Sequence, residues 1–174
     1  VTLPAIGAYS ETWPLNCTKS RRIIAEAAAQ LAASQNERGY FGDARGGSLT
    51  QCMAALFLLS TDDREYDGHL QRFALALSQQ NPSGSTWHLG YQVIFLSEYY
   101  LKTGDKRVLA MIEAGCKLAA ENQSAGAWGH HMNNVSVGYV QSGLMNSAGV
   151  TMFLGMTLAR ECGVTVHEEA YQRS

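Results

Sequence analysis

Along the first part of the chain the apolar positions Ile24, Ala27, Ala28 and Leu31 recur at the spacing of one helical face, with charged residues on the other side. The spacing returns at Leu70, Phe73, Ala74 and Leu77, and nearly so at Val108, Ile112, Cys116 and Ala119. Stripes of this i, i+3, i+4, i+7 kind predict amphipathic helices lying on a surface. Each is followed by a segment almost free of charge: "GSLTQCMAALFLLST", "WHLGYQVIFLSEYYLKTG" with Glu98 in its body, and "SGLMNSAGVTMFLGMTLA". A helix apolar on nearly every side needs protein around it. The order therefore reads outer, inner, outer, inner, outer, inner.

The joints between outer and inner segments also repeat: "ASQNERGYFGD", "LSQQNPSGSTWHLGY" and "AAENQSAGAWGHH". Their aromatic anchors, Tyr40, Trp87 and Trp128, stand 47 and then 41 residues apart, a helical-hairpin period. No stretch alternates with period 2, so no strand is expected. The predicted fold is all-α: one domain over residues 1–174, with three outer/inner hairpins at 19–61, 62–104 and 105–163 after an N-terminal segment, 1–18. Ser20, Asp62 or Asp63, and Asp105 are candidate caps of the outer helices, and Gly104 and Gly163 are placed to end inner ones. Stacked side by side, such hairpins bring all three glycine-aromatic turns to one end.

Charge narrows the partners. Four lysines and nine arginines are scattered through a chain of formal net charge −2, leaving no basic stripe for a phosphate backbone, so nucleic acid is not expected. Between Met132 and Ala159 there is no charged residue, but Asn133, Asn134, Gln141, Asn146 and Ser147 interrupt the run, and no membrane span is expected. Cys17, Cys52, Cys116 and Cys162 lie far apart with no C-x-x-C spacing. The first residues, "VTLPAIGAYSETWPLNC", lack the form of a signal peptide, and the chain reads as an excised domain or a processed product.

The "GAWGH" turn, and more loosely "GSTWHLG", resemble the turns of the α/α toroids of the terpenoid cyclase and protein prenyltransferase class. More closely, "GAYSETWPLNCTKS", "WHLGYQVIFLSEYYLKTGDKRVL" and "GYVQSGLMNSAGVTMFLGMTLARECGV" resemble an uncharacterised bacterial family, a domain of unknown function assigned to that group. The resemblance covers nearly the whole chain and implies a partial toroid, three hairpins of a larger ring, with a cavity at the turn end. It implies as partners the remainder of a longer parent chain or further copies in a homo-oligomer, and an extracytoplasmic location if a bacterial parent is secreted. The D-x-D-D acid motif of the cyclases and the C-G-E-Q thioester sequence are absent, so those activities are not expected.

In the hairpin reading Tyr40 and Asp43, Trp87 and His88, and Trp128, His130, His131, Asn133, Asn134 and Tyr139 converge where the inner helices start. Free N–H groups there favour an oxygen-rich ligand. Three chemistries follow. His88, with His130 or His131 and Asp43, has the ligand types zinc takes, but neighbouring histidine side chains diverge and there is no H-E-x-x-H, so no cofactor is expected. His130 or His88 beside Asp43 has the make-up of a general base with its tautomer fixed by a carboxylate. Aromatic faces at Tyr40, Trp87, Trp128 and Tyr139, with His131, Asn133 and Asn134 as polar groups, suit a glycan or peptide ligand. Against these stands packing: Trp87 and Trp128 at equal repeat positions are wedges for the next helix. The sequence names no reaction. It leaves a binding or scaffold module, and as the alternative part of a carbohydrate- or peptide-processing enzyme. A cleft holding Asp43, His88 and His130 favours the enzyme, and a turn end plugged by Trp87 and Trp128 the module.

Overall fold

The computed structural model describes residues 18–42, 49–132 and 146–174. Within them the chain forms seven α-helices: α1 (Thr18–Ala33), α2 (Leu49–Ser60), α3 (Asp67–Ser78), α4 (Thr86–Thr103), α5 (Leu109–Glu121), α6 (Asn146–Glu161) and α7 (Glu168–Arg173). Short 3-10 turns, Arg64–Tyr66 and Lys106–Val108, lead into α3 and α5. Among the described residues the only strand-like pairing is isolated bridges, Gln35 with Phe41, Ser85 with His131 and Ser124 with Ala127, so the fold is all-α as predicted.

Helix α4 holds the middle, packed against α2 on one side and α6 on the other, with α3 and α5 also in contact with it. That position explains its charge-poor sequence: Leu89, Val93, Ile94, Phe95, Leu96 and Tyr99 are all buried. Burying each aliphatic side chain of this size contributes roughly 1.5–3 kcal/mol. Phe95 lies 5.1 Å from Phe73 of α3, and Phe73 lies 5.5 Å from Phe41 of the first turn, an aromatic line crossing the core. Gly90 lets α4 and α6 close up, since a Cβ there would stand 2.7 Å from the Thr151 hydroxyl oxygen.

The stripes of α3 and α5 bury as expected, Leu70, Phe73, Ala74 and Leu77 in one and Ile112, Cys116 and Ala119 in the other. In α1 the buried residues are Ala28 and Ala32, and Ile24 is 46% exposed. The difference follows from place, because α1 packs chiefly on α2. Asp63 caps the turn before α3 by accepting from the Glu65 N–H, Asp105 does the same for Arg107 before α5, and Gly104 ends α4 with φ +71°. Ser20 is not a cap; α1 already runs from Thr18 and contains it.

The inner helices are less enclosed than their composition predicts. Met53 of α2, Leu101 of α4 and Leu154 of α6 are each about half exposed. Between the middle and C-terminal parts of these helices lies an open groove of about 680 Å³. Cys52, Cys116 and Cys162 are free and buried, and burial pushes the Cys52 and Cys116 thiols up to about 12. Neither supplies a thiolate nucleophile near neutral pH. Among the described residues no helix is long and apolar enough to cross a membrane.

Candidate functional site

The turns between outer and inner helices are tied to one another at one end of the array. In the first, Asn36 accepts the backbone N–H groups of Arg38 and Tyr40 on its side-chain oxygen, an Asx-type closure. The Tyr40 hydroxyl accepts from the Gln80 side chain and donates to the Ala76 carbonyl, and its ring stands edge-on to Phe73. Tyr40 thus fastens the first turn to the end of α3. Gln35 fastens it again, donating to the His69 carbonyl at 2.9 Å. The Arg72 guanidinium donates to Gln35 Oε1 at 3.0 Å, and His69 Nδ1 stands 3.0 Å from that guanidinium and 2.9 Å from Gln35 Oε1. Burial, followed by the Arg72 charge, holds the His69 pKa below the usual imidazole value.

The second and third turns share backbone. Thr86 N–H donates to the His130 carbonyl at 3.0 Å and Met132 N–H to the Gly84 carbonyl at 2.7 Å. Across this seam the Trp87 indole N–H donates to His130 Nδ1 at 3.1 Å. An indole only donates, so Nδ1 of His130 is the acceptor and the proton of its neutral ring sits on Nε2. Trp128 goes deeper: it is 1% exposed and donates its indole N–H to the Ala119 carbonyl near the end of α5, at 2.8 Å.

Of the residues predicted for a site, then, the structure joins Trp87 to His130 directly and sets Tyr40 into the neighbouring hairpin. Trp128 is inside the core, His88 is half-buried and His131 is exposed. Asp43, Asn133, Asn134 and Tyr139 lie outside the described residues, as does Cys17. Among the described residues no group of three or more His, Cys, Asp or Glu is placed to hold a metal ion.

Two residues that the sequence reading passed over organise the turns from within. Gln51 of α2 accepts the Phe41 N–H at 2.7 Å and donates to the Phe41 carbonyl at 2.6 Å, and it is buried. Gln92 of α4, also buried, accepts the Ser83 N–H at 3.1 Å. The signal was available: a glutamine inside an otherwise apolar helix must satisfy its amide locally, and a turn backbone is the nearest supply.

The groove at the far end of α2, α4 and α6 has a different character. Leu56, Leu59, Ile94, Leu101, Leu154 and Leu158 line it, with Glu98 among them. Lys102 closes one side, 2.8 Å from Asp62 and within 3.3 Å of the Leu59 carbonyl. The hydrogen bond from Lys102 holds the Asp62 carboxyl below its usual value.

Comparison with curated proteins and with solved structures finds no match. A family model does match, over residues 20–174 and so from within α1 to the last residue of the chain. The chain belongs to the family described as Domain of unknown function (DUF6288).

Proposed function

We propose that this domain is a non-catalytic helical-repeat module of the α/α toroid type, in which the turn end is a structural rim and the lateral edges join further hairpins. The observation that carries the reading is the use already made of the turn aromatics. Trp128 is 1% exposed with its indole N–H on Ala119, and Trp87 gives its own to His130. A ligand platform offers open ring faces, whereas a buried ring with its donor satisfied is a wedge.

The edges supply the rest. A repeat array needs polar outer faces on its end repeats to stay soluble alone. Here α1 exposes Ile23 and Ile24, 51% and 46%, at one edge, and α6 exposes Val150 and Phe153, 65% and 38%, at the other. The partner that fits both is another hairpin array of the same kind, and a second copy of this chain is the form in which it is tested. Sedimentation velocity from about 1 to 100 μM is the experiment, a range that spans moderate-affinity self-association. The wild-type chain is expected to associate with concentration, and the Ile23→Glu, Ile24→Glu double variant to remain monomeric. A wild-type chain that stays monomeric over the whole range rejects edge association.

A further inference from the structure

We infer that the leucine-lined groove at the far end of α2, α4 and α6 binds a small amphipathic cation, an ammonium group carried on an aliphatic chain. Its floor is α4, where Ile94, Glu98, Leu101 and Lys102 fall at i, i+4, i+7 and i+8 and so share one helix face. Leu56 and Leu59 of α2 form one wall, and Leu154 and Leu158 of α6 the other. At about 680 Å³ the groove has the size of a small-molecule site, a class that spans roughly 300–1,000 Å³. Leu101 and Leu154 are 46% and 47% exposed, so a chain laid along the floor takes apolar surface of floor and wall out of water together. From Ile94 to Leu101 the floor runs about 10 Å, room for an octyl chain.

Charge selects the occupant. Glu98 and Lys102 are the only Asp, Glu, Lys or Arg side chains of α4, and both line the groove. Lys102 is already engaged, 2.8 Å from Asp62 and 3.3 Å from the Leu59 carbonyl. The Glu98 carboxylate, one turn before it, has no ion pair and no hydrogen bond among the described residues. The lining therefore sets two carboxylates, Asp62 and Glu98, against one ammonium, and the unmatched one stands among leucines.

An apolar chain lying on this floor covers Glu98 and strips water from it. A carboxylate that loses water and gains no partner is strongly disfavoured. A neutral chain leaves that penalty in place and an anionic one adds repulsion, whereas an ammonium offsets it with a charge-assisted hydrogen bond. The one side chain that turns away fatty acids and alcohols is thus the one that accepts an amine. The turn end differs, because the indole donors of Trp87 and Trp128 are already used within the fold.

The test is a titration of the full chain, ¹³C-labelled at its leucine methyls, with octylamine, octanol and octanoate near neutral pH and below micelle-forming concentrations. The amine, protonated there, is expected to shift the Leu101 and Leu154 methyl signals at about tenfold lower concentration than octanol, the margin of one charge-assisted contact, with octanoate weaker still. Glu98→Gln keeps the shape of the side chain and removes its charge. It should bring the amine to the level of the alcohol, while its ligand-free spectrum stays that of the folded wild type. The inference is overturned if the wild type binds the three chains alike or prefers octanol or octanoate, if the amine moves methyls elsewhere in the fold, or if none of the three binds. It is overturned equally if Glu98→Gln retains the preference for the amine. The comparison of the three chains on the wild type depends on no variant folding.

Discussion

Replacing Trp128 by alanine separates a wedge from a ligand platform. The ring is 1% exposed, and removing a buried tryptophan side chain costs about 3–5 kcal/mol. A domain of this size is stable by only about 5–15 kcal/mol, so the variant should unfold at a clearly lower urea concentration. Trp128→Phe divides the effect. It keeps most of the apolar bulk and loses the bond to the Ala119 carbonyl, which still receives the Asn122 N–H at 3.3 Å and is not orphaned. The lost bond then accounts for about 1 kcal/mol, and the smaller ring for a similar amount. Far-UV circular dichroism in urea is the suitable readout, since tryptophan emission changes with the substitution itself. A loss below about 1 kcal/mol for Trp128→Ala, at unchanged denaturant slope, would refute the wedge and return the ring to the candidate ligand set.

Trp87→Phe should cost about 1 kcal/mol through loss of its bond to His130, whereas His131→Ala, at an exposed position, should stay within about 0.5 kcal/mol. Gly90→Ala should destabilise by about 1–3 kcal/mol in the same assay, despite alanine's higher helix propensity, because its Cβ meets Thr151; pairing it with Thr151→Ala should recover part of the loss. The Arg107 side chain beside Asp105, helped by the Arg107 backbone N–H and the Tyr99 hydroxyl, holds that carboxyl down to about 2. A depressed carboxyl contributes stability above its unfolded value, near 4, and loses it as pH falls toward 2. Asp105→Asn should therefore flatten the loss of stability between about pH 4 and 2, by roughly 1–2 kcal/mol after allowance for solvent screening.

The architecture was legible where periodicity ran long enough. The stripes of α3 and α5, the charge-poor body of α4 and the caps Asp63, Asp105 and Gly104 could all be read along the chain because each is a local rule. The failures are tertiary. Ile24 belongs to as regular a stripe as Leu70, yet it is 46% exposed where Leu70 is buried. Helix α7 was missed because six residues show no period; what fixes it is Tyr171 stacked 5.0 Å from Phe153 and overlaid by Arg160 at 4.4 Å. Trp87 and His130 meet across a turn seam, but a tryptophan that stacks on a ligand and one that fills a core are spelled alike. Only burial separates Trp128 from an open platform, and four of the candidates lie outside the described residues.

The backbone seam between Ser85 and His131 means that the second and third hairpins cannot part without breaking two backbone hydrogen bonds as well as side-chain contacts. The first hairpin has no such seam to its neighbour among the described residues and is held by side chains. Native-state amide exchange should follow that asymmetry, with Thr86 and Met132 opening together as one foldon while α1, anchored by two small alanines, frays first.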